Sequence, residues 1–428
     1  MRDVIAMILA GGRVEELSVL TAQRPKAAVP FAGQYRIIDF ALSGLMRADI
    51  ERIGVLSLYR PWALIDHLGT GEPWDLIGRG RGVKLLPPYT GHAGGFGYRG
   101  TADAVWQNLN FIRDHAPRDV LILSGDHIYN VDFAGVIEQH RRTEADLTMV
   151  VKEMEPDRGR GRFGFAEVDG DGRVTGYEEK PAAPRSRLVS LTVFLFRTEV
   201  LIRRLSEAMR QPESYQLYAD VLPAMVGSDR VHAWLYDGYW NYARSVDAYH
   251  QAHRDLLGEA PPIALADWAV RTRKTLFGLG DPPPVRLDAG GRCARSMVAP
   301  GARVAGEVDG SVLSPGVWVE PGARVTDSVL LDGVRVRAGA RVDRAVLDKW
   351  VEVGAGARIG CGEPAGPNRA QPRALAGGTS LIGKGARLPA DCAVGRNCVV
   401  APGTGEDDWP DGELASGASL EGAEGGPA

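Results

Sequence analysis

Between Leu313 and Ile359 the apolar residues return every six positions: Leu313, Val319, Val325 and Leu331, then Leu330, Val336 and Val342, then Leu347, Val353 and Ile359. The text around them repeats too, as VAPGARV, VEPGARV, VRAGARV and VGAGARI. A helix would return its apolar face every three to four residues and a half-buried strand every two. A step of six with Gly turns fits a hexapeptide parallel β-helix, in which each short strand points one aliphatic side chain inward and stacked coils share the core. The alternative is an irregular Gly-rich β domain. The pattern starts near 286, breaks over a Pro/Ala/Gly stretch at 361–380 and resumes in LIGKGARLPADCAVGRNCVVAPG, 381–403. Residues 404–428 are mostly Gly, Ala, Glu and Asp, with too little apolar content to offset ordering entropy, and are expected to be a disordered tail.

The first 255 residues read differently. VIAMIL (4–9), RIGVLSL (52–58), VLIL (120–123) and LTMVV (147–151) are short apolar runs suited to buried parallel strands. DAVWQNLNFIRDH (103–115) has helical spacing, with Val105, Leu109 and Ile112 on one face and Thr101 as its N-cap. Alternating strands and helices predict an α/β fold with a mostly parallel sheet. AEVDGDGRVTGYEEKP (166–181) predicts a hairpin. The expected division is a domain over 1–255, a linker over 256–285, a β-helix over 286–403 and the tail.

A net charge of −4 gives no basic excess for a nucleic-acid surface, and no apolar run approaches the length of a membrane span. The apolar run in MRDVIAMILAGG is too short for a signal peptide, so a cytoplasmic location is expected. Cys293, Cys361, Cys392 and Cys398 show no C-x-x-C spacing and read as free thiols.

Several segments could carry chemistry. LAGGRVEELSVLTAQRPKAAVPF (9–31) follows a strand as if to cradle a phosphate, with Gly11 and Gly12 first and Lys26 downstream. LSGDH ends another strand, so Asp126 stands where open α/β sheets bind ligands and could hold a divalent metal, with His127 orienting it. It also reads as a turn residue capping a helix. YRGTADAV places Gly100 and Thr101 at a helix start, offering backbone N–H groups to an anion or a base edge, or serving as an ordinary cap. EEKP offers Glu179 to sugar hydroxyls and Lys180 to a phosphate, or a solvated surface pair. Gly159-x-Gly161-x-x-Gly164 leads into a strand and not a helix, so it lacks the mechanism of a dinucleotide fingerprint.

LAGG, RPKAAVPFAGQYRIIDFALS, YRGTADAVWQNL, LSGDHIYN and FGFAEVD…EEKP, followed by the hexapeptide text, together resemble the glucose-1-phosphate adenylyltransferases over roughly residues 1–360. The resemblance implies a Rossmann-like nucleotidyltransferase domain followed by a left-handed β-helix. It implies formation of ADP-glucose and pyrophosphate from ATP and glucose 1-phosphate with Mg²⁺, allosteric effectors, and a homo- or hetero-oligomer, usually a tetramer. It assigns Lys26 and Asp126 to catalysis, Asp126 as the Mg²⁺ ligand. Gly11 and Gly12 fall in the phosphate loop; Tyr98, Gly100 and Thr101 line the nucleotide and sugar pocket. Glu179 and Ser190 meet the sugar, and Lys180 its phosphate.

The chain departs from that pattern at the phosphates. The family's GGxGxRL is GGRVEEL here, placing Val14 at the loop glycine and Glu16 at the catalytic arginine. Its YWxDVGT is YWNYARS, placing Tyr242 at a metal-binding aspartate and Arg244 at a glycine. Its Ser-Met-Gly is Ser190-Leu191-Thr192. Losing one preorganised cation typically costs about 10²–10³ in rate. The pattern therefore also fits a regulatory-type subunit that binds sugar phosphate or nucleotide beside an intact paralogue, unless Arg13 or Arg244 supplies the missing charge. Hexapeptide acyltransferases use a histidine on the β-helix; here the last is His253, before the β-helix begins.

Overall fold

A computed structural model describes residues 3–89, 97–274, 280–364, 366–410 and 413–422. Its contacts group into two units, Met1–Gly12 with Ile38–Trp240, and Arg13–Ile37 with Asn241–Ala428. This differs from the division expected at 255. Residues 13–37 leave the first unit because their apolar side chains, Leu17, Leu20, Val29 and Phe31 among them, are buried and their polar contacts run to the second: Tyr249 Oη donates to Pro30 O at 2.6 Å, and Arg24 pairs with Asp348.

In the first unit the apolar runs form a nine-stranded sheet among the described residues. Its strands are β1 (Val4–Leu9), β2 (Arg52–Leu56), β3 (Gly82–Leu86), β4 (Asp119–Ser124), β5 (Leu147–Glu153), β6 (Gly164–Val168), β7 (Val174–Glu179), β8 (Leu188–Arg197) and β9 (Val231–Leu235). The order is β7-β6-β8-β4-β1-β2-β3, with β5 pairing both β8 and β9. β4, β1, β2 and β3 run parallel, and β8 runs antiparallel to β4, β5 and β6. The β-branched, unbroken VIAMIL run suits β1, which is buried on both faces. β6 and β7 form the predicted hairpin.

The predicted helix over 103–115 is two short helices, α1 (Thr101–Gln107) and α2 (Leu109–His115), broken at Asn108. Asn108 Nδ2 donates to Ala104 O at 2.9 Å and to Tyr98 Oη at 2.9 Å, offering the backbone a local alternative to a continuous helix. Val105, Leu109 and Ile112 still face the core with Met7, Ile122 and Phe194.

The second unit is a parallel β-helix of three all-parallel sheets, with six, seven and seven strands among the described residues. Leu313, Val319, Val325, Leu330, Val336 and Val342 fill its interior. Trp318 pairs with Arg335 and Arg335 with Glu352, so a coil takes seventeen residues. Gly322, Gly339 and Gly356 turn equivalent corners at φ of 74°, 71° and 69°, which favours glycine. On the six-stranded sheet Arg303 and Arg335 flank Trp318, 4.9 and 4.1 Å from its ring centre. On one seven-stranded sheet Arg324, Arg341 and Arg358 stack in register, all exposed. One helix of this unit matters below, α3 (Val246–Arg254).

The expected tail needs correcting over its described part. Glu413–Leu414 pairs with Ala393–Val394, and Ser419–Leu420 with Val399–Val400. This last coil satisfies the backbone of the coil before it, and Leu414 closes the core. Residues 411, 412 and 423–428 of that expected tail, and 275–279 of the expected linker, lie outside the described residues. Among the described residues no helix is long and apolar enough to cross a membrane.

Candidate functional site

The register of the first unit's sheet gathers most of the predicted residues at one edge. β1 and β4 are parallel, with Leu9 beside Ser124, so Gly11, Gly12 and Asp126 follow adjacent strand ends. β8 runs the other way, with Val193 beside Leu123, which brings Ser190 to the same edge. Val189 pairs with Phe165, and Gly164 with Glu179, which adds the end of β7. Tyr98 is tied there by its hydroxyl, which donates to Leu86 O at the end of β3 at 2.8 Å. Burial pushes the Tyr98 hydroxyl up to about 12, so it stays protonated.

Gly11 lies against the chain leaving β2: an added Cβ would stand 3.2 Å from Leu58 N. At Gly12 an added Cβ would meet open space. Asp126 is fixed from both sides. Gly125 N donates to Leu9 O at 2.9 Å, and the Ser124 hydroxyl donates to Asp126 Oδ1. His127 is 4% exposed; its Nδ1 accepts from Trp240 Nε1 at 3.2 Å, and its Nε2 lies 3.6 Å from Asp126 Oδ1. The neutral tautomer therefore points its proton at Asp126. Among the described residues no three His, Cys, Asp or Glu side chains converge on one point.

The helix start at Gly100–Thr101 needs a correction. Gly100 is the cap and Thr101 the first helical residue. Its N–H groups already have protein acceptors: Thr101 N donates to Gln216 Oε1 at 3.0 Å and Ala102 N to Tyr215 O at 2.9 Å. Thr101 Oγ1 also donates to Gln216 Oε1 and accepts from Leu217 N. The backbone donors expected to serve a ligand instead join the segment 215–217. Gly100 is glycine for room, since an added Cβ would sit 2.2 Å from Tyr215 O.

At the end of β7, Glu179 Oε2 accepts from Tyr177 Oη at 2.8 Å, and its other oxygen lies 3.4 Å from Lys180 Nζ. Lys180 is exposed, sits at φ 47° and has its ammonium 5.0 Å from the Tyr218 ring centre. Gly164 makes this possible: an added Cβ would lie 2.0 Å from Tyr177 Oη. Its glycine thus serves packing of this hairpin. Ser190 is 5% exposed, and its hydroxyl accepts from Thr192 N at 3.4 Å across the irregular start of β8.

Lys26 belongs to the second unit, where the altered loop also lies. Val14 is extended (φ −118°, ψ 107°), and residues 15–21 form a 3₁₀ segment whose left-handed residue is Ser18 (φ 52°, ψ −130°). Valine is thus unstrained here. Lys26 is 1% exposed; its ammonium lies 3.6 Å from the Tyr242 ring centre and donates to Tyr242 O. Arg244 Nε lies 3.4 Å from Glu16 Oε1. Arg13 is exposed.

A second polar cluster was missed in the sequence. Arg24 pairs with Asp348 and Lys349 with Asp332, with Arg36 and Lys384 close by. Burial holds the Lys349 ammonium below its usual range, with Arg36 and Arg24 adding to the effect against Asp332. Four cations and two carboxylates thus gather here, leaving a formal excess of positive charge. Its members are separated by over three hundred residues, so no local spacing announces them.

The family model described as nucleotidyl transferase matches residues 5–259, and one described as GlmU-like, C-terminal hexapeptide matches 285–371. Glucose-1-phosphate adenylyltransferases of Thermotoga maritima, Thermomicrobium roseum and Acetivibrio thermocellus are 43%, 41% and 34% identical to the chain. Each alignment covers 97–98% of this chain and 98% of the relative. With both units matched over nearly their full length, the chain belongs to the glucose-1-phosphate adenylyltransferase family, a nucleotidyl transferase domain followed by a left-handed β-helix.

Proposed function

We propose that the chain is a cytoplasmic enzyme of glycogen synthesis that joins ATP and glucose 1-phosphate to give ADP-glucose and pyrophosphate. The observation that carries this reading is the sheet edge where Gly11, Gly12, Asp126, Glu179 and Ser190 meet. Glu179 accepts from sugar hydroxyls, Ser190 adds a second polar contact, and the exposed Lys180 ammonium meets the sugar phosphate. Tyr98, Gly100 and Thr101 shape the nucleotide side through packing. The phosphate oxygen of glucose 1-phosphate attacks the α-phosphorus of ATP and pyrophosphate leaves, so charge grows where cations such as Lys26 are needed.

The Asp126 carboxylate at the sheet edge fits Mg²⁺, which keeps several waters and takes one or two protein carboxylates together with substrate phosphates. When bound it would neutralise phosphate charge. The Arg24, Arg36, Lys349 and Lys384 cluster is the candidate for an anionic allosteric effector. Assembly is proposed as a homo- or hetero-tetramer.

A regulatory-type subunit is the second reading, favoured by Tyr242 and Glu16 at the positions where the motif pattern of the resemblance implies an aspartate and an arginine. Pyrophosphate release by the purified chain alone, with ATP, glucose 1-phosphate and Mg²⁺, separates the two. Steady turnover supports the first; tight glucose 1-phosphate binding without turnover supports the second. Lys180→Ala should weaken glucose 1-phosphate binding by roughly 1.5–3 kcal/mol, the scale of one charge-assisted contact. Calorimetry with unchanged affinity would remove Lys180 from the site.

A further inference from the structure

We infer that Arg244 is this chain's phosphate-binding cation beside Lys26, with Glu16 and Tyr242 as the residues that position the pair. The inference rests on the reading above that the chain takes ATP. The replaced positions meet one another. Arg244 Nε lies 3.4 Å from Glu16 Oε1, and its guanidinium carbon lies 5.7 Å from the Tyr242 ring centre. The Lys26 ammonium lies 3.6 Å from the same ring centre and donates to the Tyr242 carbonyl. One aromatic ring therefore has two cations within cation–π range. A phenol can hold two cations together without adding a negative charge.

The backbone fixes this arrangement. Ala243 is 2% exposed at φ 40°, a conformation that a non-glycine residue keeps only when its surroundings impose it. Its N–H donates to Asn241 Oδ1 at 2.7 Å. The turn places Tyr242 on Lys26 and Arg244 on Glu16 at once. Lys26 is buried, whereas the Arg244 and Glu16 side chains are 33% and 29% exposed. Arg244 is thus the member that an arriving phosphate can reach, and its planar fork can hold phosphate oxygens two at a time.

The charge balance points the same way. In the family pattern, positions 16, 242, 244 and 26 hold arginine, aspartate, glycine and lysine. Here they hold Glu16, Tyr242, Arg244 and Lys26. The summed formal charge is the same. Relative to that pattern the cation stands at 244 instead of 16 and the carboxylate at 16 instead of 242.

The test is calorimetry on the full chain with ATP, inorganic tripolyphosphate and glucose 1-phosphate, beside a melting temperature for each variant. Arg244→Gln should weaken ATP and tripolyphosphate binding at least about tenfold, the loss of one charge-assisted contact, with glucose 1-phosphate affinity kept. Arg244→Lys should recover part of the loss. Tyr242→Phe, which keeps the ring, should bind ATP as the parent does, and Tyr242→Leu should not. Glu16→Gln should strengthen ATP binding, and adding Arg244→Gln should abolish that gain. Unchanged ATP and tripolyphosphate affinity in Arg244→Gln overturns the inference, as does an equal loss of glucose 1-phosphate binding. A parent chain that binds glucose 1-phosphate but neither polyphosphate overturns it and leaves the sugar-phosphate site standing. One that binds none of the three overturns both readings.

Discussion

His253 is held as a neutral imidazole. Its Nε2 accepts from Ala32 N at 3.2 Å and its Nδ1 donates to Tyr249 O at 2.9 Å, so one tautomer uses both nitrogens. Burial lowers its pKa to about 3, against about 6.5 in an unfolded chain. Between those values the unfolded chain binds the extra proton, so stability falls as pH falls, by up to about 1.4 kcal/mol per pH unit. Urea unfolding at pH 7 and pH 5 should show that loss, and His253→Gln should reduce it; an unaltered slope would assign the pH dependence elsewhere. Ser18 is a second residue whose backbone sets its worth. It is buried at φ 52° with a hydroxyl that has no hydrogen-bond partner among the described residues. Ser18→Gly should therefore stabilise the chain by about 1 kcal/mol, against the usual cost of glycine, and a lower denaturation midpoint would refute this. The resemblance marks Val14 as this loop's departure because its pattern implies a glycine there. Strain moved four residues along instead, which no residue-type rule reveals, since serine gives no signal of φ. Likewise the type of residue at 16, 242 and 244 was readable, but their mutual contacts were not.

At the scale of elements, the β-helix was readable because each short strand buries one aliphatic side chain, so the core is written into the spacing. The count was not quite six throughout. Leu330 and not Leu331 occupies the strand after Val325, so one side of the coil is a residue shorter and the repeat is seventeen. The last coil was overlooked although Leu414 and Leu420 stand six apart, because a composition dominated by Gly, Ala and acids hid two correctly spaced leucines. Likewise the N-terminal strands were visible as apolar runs, whereas the occupants of the α1 N-terminus come from residues 215–217, too far along the chain to be guessed. The outer surface shows a different economy on each sheet. Arg303 and Arg335 share Trp318, and Arg335 also pairs with Glu320. Arg324, Arg341 and Arg358 instead repel along their ladder, with Glu307 3.8 Å from Arg324 at one end. Arg341→Glu should convert two repulsions to attractions and stabilise the chain by roughly 0.4–2 kcal/mol in total, from about 0.2–1 per pair, and more at low salt. A melting temperature that does not rise, or a gain indifferent to salt, would count against the ladder as a source of strain.

For the whole molecule the decisive feature is that the chain passes between its two units at Gly12, Ile37 and Trp240. Composition and periodicity located the β-helix, but they could not show that residues 13–37 belong with it, since membership depends on burial against distant residues. Phe31, for example, has its ring 4.5 Å from that of His253. A fragment ending at 255 would keep α3 and lose the β-helix, stranding Arg24 without Asp348. Such a fragment should be aggregation-prone and fail to give a cooperative melt, whereas the full chain should melt cooperatively; a well-folded monomeric fragment would contradict the grouping. Seen as heredity, the two halves of this gene are not exchangeable cassettes. A crossover near residue 255 would hand a new β-helix to an old 13–37 segment, and the offspring would inherit a mismatched core. Change in the one therefore has to be matched by change in the other.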